Sequence, residues 1–275
     1  MDIKDILLVL QDGPADEVAA AVAARIANRG GGGGAVTGLC TFSTPTMPVG
    51  SYAIGSAAIS QVYDDLQRMR DEQVAKSEAL FHGVMGKAGV TAVWATPARD
   101  ESAKVTAARA RTVDVSIIGR TSDNRDLIQE LVFSSGTPCL IMPEMSAPPA
   151  GLNRVVVAWN GSREAKHALD SALPFLVRAT FVEVVTTDGS DQPVGDAQVN
   201  ALIEHLAHHG VTAQFLRISR DEDDVAGALR RHCAVREADL LVMGAYSHSP
   251  AQERLFGGVT QSLLTHASLP ILATH

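Results

Sequence analysis

Three glycines near the end of the chain, Gly244, Gly257 and Gly258, carry the clearest chemical signal. Gly244 closes the apolar run that begins at Leu240, and Gly257-Gly258 open a helical segment that ends before a strand at Pro270. Glycine at a strand's carboxyl end, followed by glycines that open a helix, lets backbone N–H groups approach an anion at the positive helix end. The chemistry implied is phosphate binding. Ser249 can add a hydroxyl donor and Arg254 a bidentate guanidinium, and Ser247 with the first helical positions Val259 and Thr260 completes the candidate set.

Other groups invite weaker readings. Asp12-Gly13 and Asn160-Gly161 each end an aliphatic run, where they could meet a ligand or serve as plain strand-to-helix turns. His205, His208 and His209 share one face of a helix predicted over 196–209, a spacing that could bind zinc or nickel or form a polar surface. Ser162 follows a glycine but lacks a G-x-S-x-G elbow, so hydrolase chemistry finds no support. The run Arg220 to Asp224 reads as a solvated helix start.

At Gly244 to Gly258 the chain resembles the universal stress protein family, whose nucleotide-binding members carry G-x-x-G-x9-G-[S/T]. Gly244 fits the first glycine and Gly257 the third, with nine residues, His248 to Phe256, before Gly257. Ser247 stands at the second glycine, and Gly258 stands at the phosphate-contacting Ser or Thr. The resemblance implies an adenine nucleotide such as ATP, carried with magnesium. In that family the acid closing the first strand lies beside the nucleotide; Asp12 keeps it in the first half of this chain, and Asn160 replaces it in the second.

Composition suits a soluble α/β protein: 46% hydrophobic, 20% charged and 4% aromatic. The formal charge of -8 argues against binding nucleic acid through a general basic surface. Cys40, Cys139 and Cys233 are odd in number and far apart, which fits buried apolar residues and neither a disulfide framework nor a Cys-x-x-Cys site. The first apolar run is too short for a signal core and no later one reaches about 18 residues, so a cytoplasmic protein without a membrane span is expected.

The elements that must position these residues repeat. Aliphatic runs at 6–10, 36–42, 90–95, 113–118 and 139–142 read as strands, separated by helices to about 27 and over 61–85, 103–111 and 126–133. The stretch 43–59 reads as irregular. After a linker, Pro143 to Asn153, the order recurs: Asn160-Gly161 falls on Asp12-Gly13, Gly210 on Gly89, Gly244 on Gly119 and Pro270 on Pro138. The offsets of 148, 121, 125 and 132 place 27 extra residues in the first copy before its third strand, and a seven-residue loss at its phosphate loop, Arg120 to Asp126.

The expected fold is therefore α/β: two tandem domains, 1–143 and 152–275, each a five-stranded parallel sheet with helices on both faces, of the adenine-nucleotide-hydrolase-like, Rossmann-like kind. The first carries a degenerate phosphate loop and an inserted loop and helix over 43–85. The resemblance further implies a tandem universal stress protein in which the domains form an intramolecular pseudo-dimer, with Cys139 to Met142 pairing with Ile271 to Ala273. It is expected to be a stress-response module with a nucleotide in the second domain. The alternative is an interaction protein without nucleotide, acting through a second copy or a protein partner at the 43–85 insertion. No catalytic residue is identified, and activity is expected to extend no further than slow ATP hydrolysis.

Overall fold

The computed structural model describes residues 2–29, 33–42, 56–98, 101–188, 194–220, 224–245, 258–266 and 268–275, apart from the side chains of 56–60. Along the first half run β1 (Asp5–Leu10), α1 (Asp16–Asn28), β2 (Ala35–Cys40), α2 (Ser56–Ala88), β3 (Thr91–Ala95), α3 (Ala103–Ala110), β4 (Val115–Gly119), α4 (Arg125–Ser134) and β5 (Cys139–Met142). The second half repeats the order as β6 (Arg154–Ala158), α5 (Arg163–Leu176), β7 (Phe181–Thr187), α6 (Asp196–His208), β8 (Gln214–Ile218), α7 (Val225–Val235), β9 (Leu240–Gly244), α8 (Gly258–His266) and β10 (Ile271–Thr274).

All ten strands lie in one sheet, in the order β3-β2-β1-β4-β5-β10-β9-β6-β7-β8. Pairing is parallel within each half and antiparallel only where β10 meets β5, with Ile271 opposite Ile141, Leu272 opposite Leu140 and Ala273 opposite Cys139. The expected pairing of the last strands is thus present, and it fuses the two five-stranded sheets. Every residue of β5 and β10 is buried, as their uninterrupted aliphatic character requires for strands covered on both faces. The outermost strands, β3 and β8, are only partly covered.

Side-chain alternation along each strand divides the core into two layers that both halves share. Ile6, Leu8 and Leu10 pack with α1, Phe81 and Met85, and the same layer continues through Leu140 and Leu272 to Val155, Leu169 and Leu206. Leu7 and Val9 face the other way, into a layer holding Leu131, Ile141, Ile271, Leu229 and Leu263. All three cysteines are free and buried. Burial pushes the thiols of Cys40, Cys139 and Cys233 up, to about 11, 12 and 12.

The 27-residue excess is mostly helix. α2 has 33 residues and its counterpart α6 has 13, and α2 begins at Ser56, inside the stretch read from sequence as irregular. Ser-Ala-Ala at its start offers no barrier to helix, so the proline- and glycine-rich composition before it misled the boundary. Ser77, Phe81 and Met85 bury the carboxyl half of α2 against the sheet, whereas Val62, Tyr63 and Met69 stand exposed on its amino half. Segment 143–153 is held down as it crosses between halves. Arg25 donates to the Pro149 carbonyl and Leu152 is buried, while Asp2 at the start of the first half pairs with Arg178 of the second at 2.6 Å.

Candidate functional site

In each half the strand order reverses direction, at β1–β4 and at β6–β9, and the cleft beyond the carboxyl ends of those strands is where open parallel sheets bind ligands. The two halves treat that position differently.

In the first half the cleft is filled by the chain itself. Asp12 turns the end of β1 with a left-handed φ of 56°, and its carboxylate lies 3.3 Å from Lys76 Nζ on α2. Asp16, only 3% exposed, accepts from the N–H groups of Gln11 at 2.9 Å and Gly13 at 3.1 Å. Burial raises the Asp16 carboxyl pKa, against the lowering effect of the Gln11, Gly13 and Asp12 N–H groups. Strand-end N–H groups that could meet an external anion thus meet an internal carboxylate. In the shortened loop, Asn124 donates to Gln11 Oε1 and to the Gly119 carbonyl, both at 2.6 Å, while its Oδ1 accepts from Thr121 N–H at 3.0 Å. Gln73 of α2 donates to the Gln11 carbonyl at 2.7 Å and completes the plug.

In the second half Asn160 is exposed, and its Oδ1 accepts from Ser162 N–H at 3.1 Å, an Asx turn. Left-handed backbone falls on Gly161 (φ 77°), one residue later than in the first half. Ser162 caps α5 by accepting from Ala165 N–H at 3.1 Å, which accounts for it without chemistry. Glu164, the counterpart of Asp16 by the offset of 148, turns away to Arg163 Nε at 2.6 Å. Burial pushes the Glu164 carboxyl up, but bonds from Arg163, its own N–H and Ser162 bring it below its ordinary value. Beside this turn Trp159 is 7% exposed and its indole Nε1 has no hydrogen-bond partner. A buried donor of this kind is costly unless something accepts from it. Sequence reading missed Trp159; an indole one residue before the strand-end turn was the available signal.

Gly244 ends β9 against the start of α5. A Cβ built there would lie 2.5 Å from Ala165 N and from the Glu164 carbonyl carbon, and Gly119 is likewise closed off by Ala15 Cβ at 2.8 Å. Helix packing therefore demands glycine in both halves, including the half without a phosphate loop. Gly258 is different: among the described residues no atom lies within 4 Å of a Cβ placed there. Val259 follows it half-buried, and Thr260 is buried, leaving backbone N–H groups as what this first turn offers. Ser247, Ser249, Arg254 and Gly257 lie outside the described residues.

The structure gives the remaining candidates quieter roles. His205 and His209 pack edge to face at 4.8 Å, and His205 Nε2 lies 3.5 Å from Asp170 Oδ1, an ion-pair distance without hydrogen-bond geometry. Among the described residues no three His, Cys, Asp or Glu side chains converge as a metal site. Asp224 caps α7, accepting from Gly227 N–H at 2.6 Å. No described helix is long and apolar enough to cross a membrane.

Two α/β halves, each with its strand-end cleft, joined antiparallel through their last strands, define a tandem doubly wound protein. The model of the universal stress protein family matches residues 151–275, the second half of the chain. No curated protein matches the sequence. Among solved structures, a universal stress protein from Archaeoglobus fulgidus DSM 4304 is 14% identical, aligns over 99% of this chain and 96% of its own, and superposes with a TM-score of 0.70. A putative universal stress protein from Pseudomonas aeruginosa UCBPP-PA14 is 16% identical over 99% of this chain and 93% of its own, with a TM-score of 0.58. The cytoplasmic domain of a prokaryotic cation chloride cotransporter is 12% identical over 98% and 95%, with a TM-score of 0.50. At such identities these likenesses speak for the fold.

Proposed function

We propose that this protein is a cytoplasmic stress-response module that holds one adenine nucleotide, ATP with its magnesium or a relative, in the cleft of its second half. The observation that carries the reading is the contrast between clefts. The first is stoppered by Asp16, Asn124, Gln73 and the Asp12–Lys76 pair, while in the second no described residue crowds the start of α8 at Gly258, and the strand-end Asn160 is exposed and uncharged. The residues present fit an anion: the first-turn N–H groups of Gly258, Val259 and Thr260 lie at the positive end of α8, and Asn160 brings no charge to repel phosphate. Ser247, Ser249 and Gly257 belong to the same site by their place in the motif. The chain holds no Walker A lysine loop and no acid assigned to activate water, so the role is binding, with hydrolysis slow at most.

Calorimetry of the full chain with ATP, ADP and AMP, paired with mass spectrometry of small molecules released on heat denaturation, tests this. Binding at one nucleotide per chain is expected; no heat and no released nucleotide would overturn it. A second reading, an interaction protein without nucleotide, is favoured by the exposed Val62, Tyr63 and Met69 on the long α2, a surface suited to a second copy or another protein. Removing those side chains would then change oligomeric state or captured partners, with nucleotide binding unaffected.

A further inference from the structure

Besides the Asp2–Arg178 pair, the first half reaches into the second with a guanidinium at the end of α8. Arg120, the residue after Gly119 at the end of β4, donates from its guanidinium to the Leu264 carbonyl at 2.7 Å. Leu264 lies in the last turn of α8, whose carbonyls have no partner within the helix. The contact follows from the antiparallel seam. Strands of the two halves run in opposite directions, so α8, which starts at the second cleft, ends beside the strand ends of the first. Arg120 itself is anchored there, its N–H donating to the Met142 carbonyl at 2.7 Å.

Among the described residues no equivalent contact runs in the reverse direction. By the repeat, Arg120 corresponds to Ala245 and Leu264 to Val132, and an alanine side chain cannot donate. What crosses the seam on that side is Phe133 against the His275 ring at 4.9 Å. The half that has lost its phosphate loop therefore supplies a cation to the carbonyl end of the phosphate helix in the other half. A cation at that end favours the helix and adds to the positive potential at its opposite end. Arg230 of α7 also holds α8, donating to Ser262 Oγ at 2.8 Å, but from within the same half.

We infer that Arg120 is a positioning residue for anion binding across the seam, making the occupancy of the second cleft depend on the first half. This rests on the nucleotide reading above for its ligand, and its test has an arm that does not.

Arg120→Met and Arg120→Lys are made in the full chain. Hydrogen exchange of the α8 amides is followed without nucleotide, and ATP affinity by calorimetry. Arg120→Met is expected to speed α8 exchange and weaken ATP binding about two- to fivefold, with Arg120→Lys recovering part of both and the midpoint of global unfolding shifting little. Unchanged exchange in Arg120→Met overturns the clamp. Faster exchange with unchanged ATP affinity reduces Arg120 to a structural cap and overturns the coupling. If the wild type binds no ATP, the nucleotide reading fails and the coupling with it, while the exchange arm still reports whether Arg120 holds α8. If Arg120→Met does not fold, the Lys variant decides by the same two readouts.

Discussion

Gly244→Ala separates a packing requirement from a ligand requirement. The added methyl would sit 2.5 Å from Ala165 N and the Glu164 carbonyl carbon and 2.7 Å from the Glu164 carbonyl oxygen. Ordinary contacts of this kind are about 3.5 Å, so the start of α5 must retreat by roughly 1 Å. Nothing flexible can yield, because all three atoms are backbone and the same turn is fixed by the Ser162 cap at 3.1 Å. Overpacking of a close-packed interior costs about 1 to 3 kcal/mol, and backbone on both sides puts this case at the upper end. At 2 to 4 °C per kcal/mol, the melting temperature should fall by about 6 to 12 °C. Gly119→Ala is the internal control: its nearest atom, Ala15 Cβ at 2.8 Å, is a side-chain methyl, and the nearest backbone atom is 3.2 Å away, so the loss should be smaller. Thermal unfolding of both variants beside ATP titration reads the result. A Gly244→Ala protein that melts within 2 °C of wild type but no longer binds ATP would show that the glycine serves the ligand and that the packing argument is wrong.

Trp159→Phe removes the orphaned N–H and should leave stability within about 1 kcal/mol of wild type in urea unfolding, since relief of an unsatisfied donor offsets the lost ring volume. Asp16→Asn should stabilise the protein at neutral pH more than at pH 3. The raised carboxyl pKa means that the Asp16 contribution is full below its unfolded value and lost as pH rises through the folded one, and urea midpoints at the two pH values check the sign. Lys76→Met should change stability by less than about 1 kcal/mol in the same assay, because its pair with Asp12 is largely exposed. Cutting the chain within 143–153 should give fragments that still co-purify by size exclusion, held by the β5–β10 pairing and the shared core layers; separate folded monomers would refute one continuous sheet.

The sheet was legible because its central strands are buried on both faces and so appear as bare aliphatic runs such as Leu7-Leu8-Val9 and Val155-Val156-Val157. The repeat then gave the order of elements in the second half by analogy, and the family resemblance gave the β5–β10 seam. The site was legible only in part. Gly244 and Gly258 look alike in sequence, yet one is set by the backbone of α5 and no described residue crowds the other. Asp16 reads as an ordinary acid in a first helical turn; that it plugs the strand-end N–H groups follows from a turn geometry no spacing reveals. Arg120 and Leu264 meet across 144 residues of chain, a contact that exists only once the halves are docked.

The seam also sets a timetable for synthesis. Cys139 to Met142 emerges from the ribosome as an uncharged aliphatic edge, and its partner Ile271 to Thr274 ends the described chain roughly 130 residues later. At about 5 to 20 residues per second, the first half waits some 7 to 26 seconds with that edge unpaired, long enough to recruit a strand from a neighbouring nascent chain. Nothing in Cys-Leu-Ile-Met acts as a gatekeeper. A chaperone-poor translation system should therefore yield soluble full-length chains and aggregated products truncated after residue 143, and the difference should vanish when a peptide carrying the β10 sequence is supplied in trans.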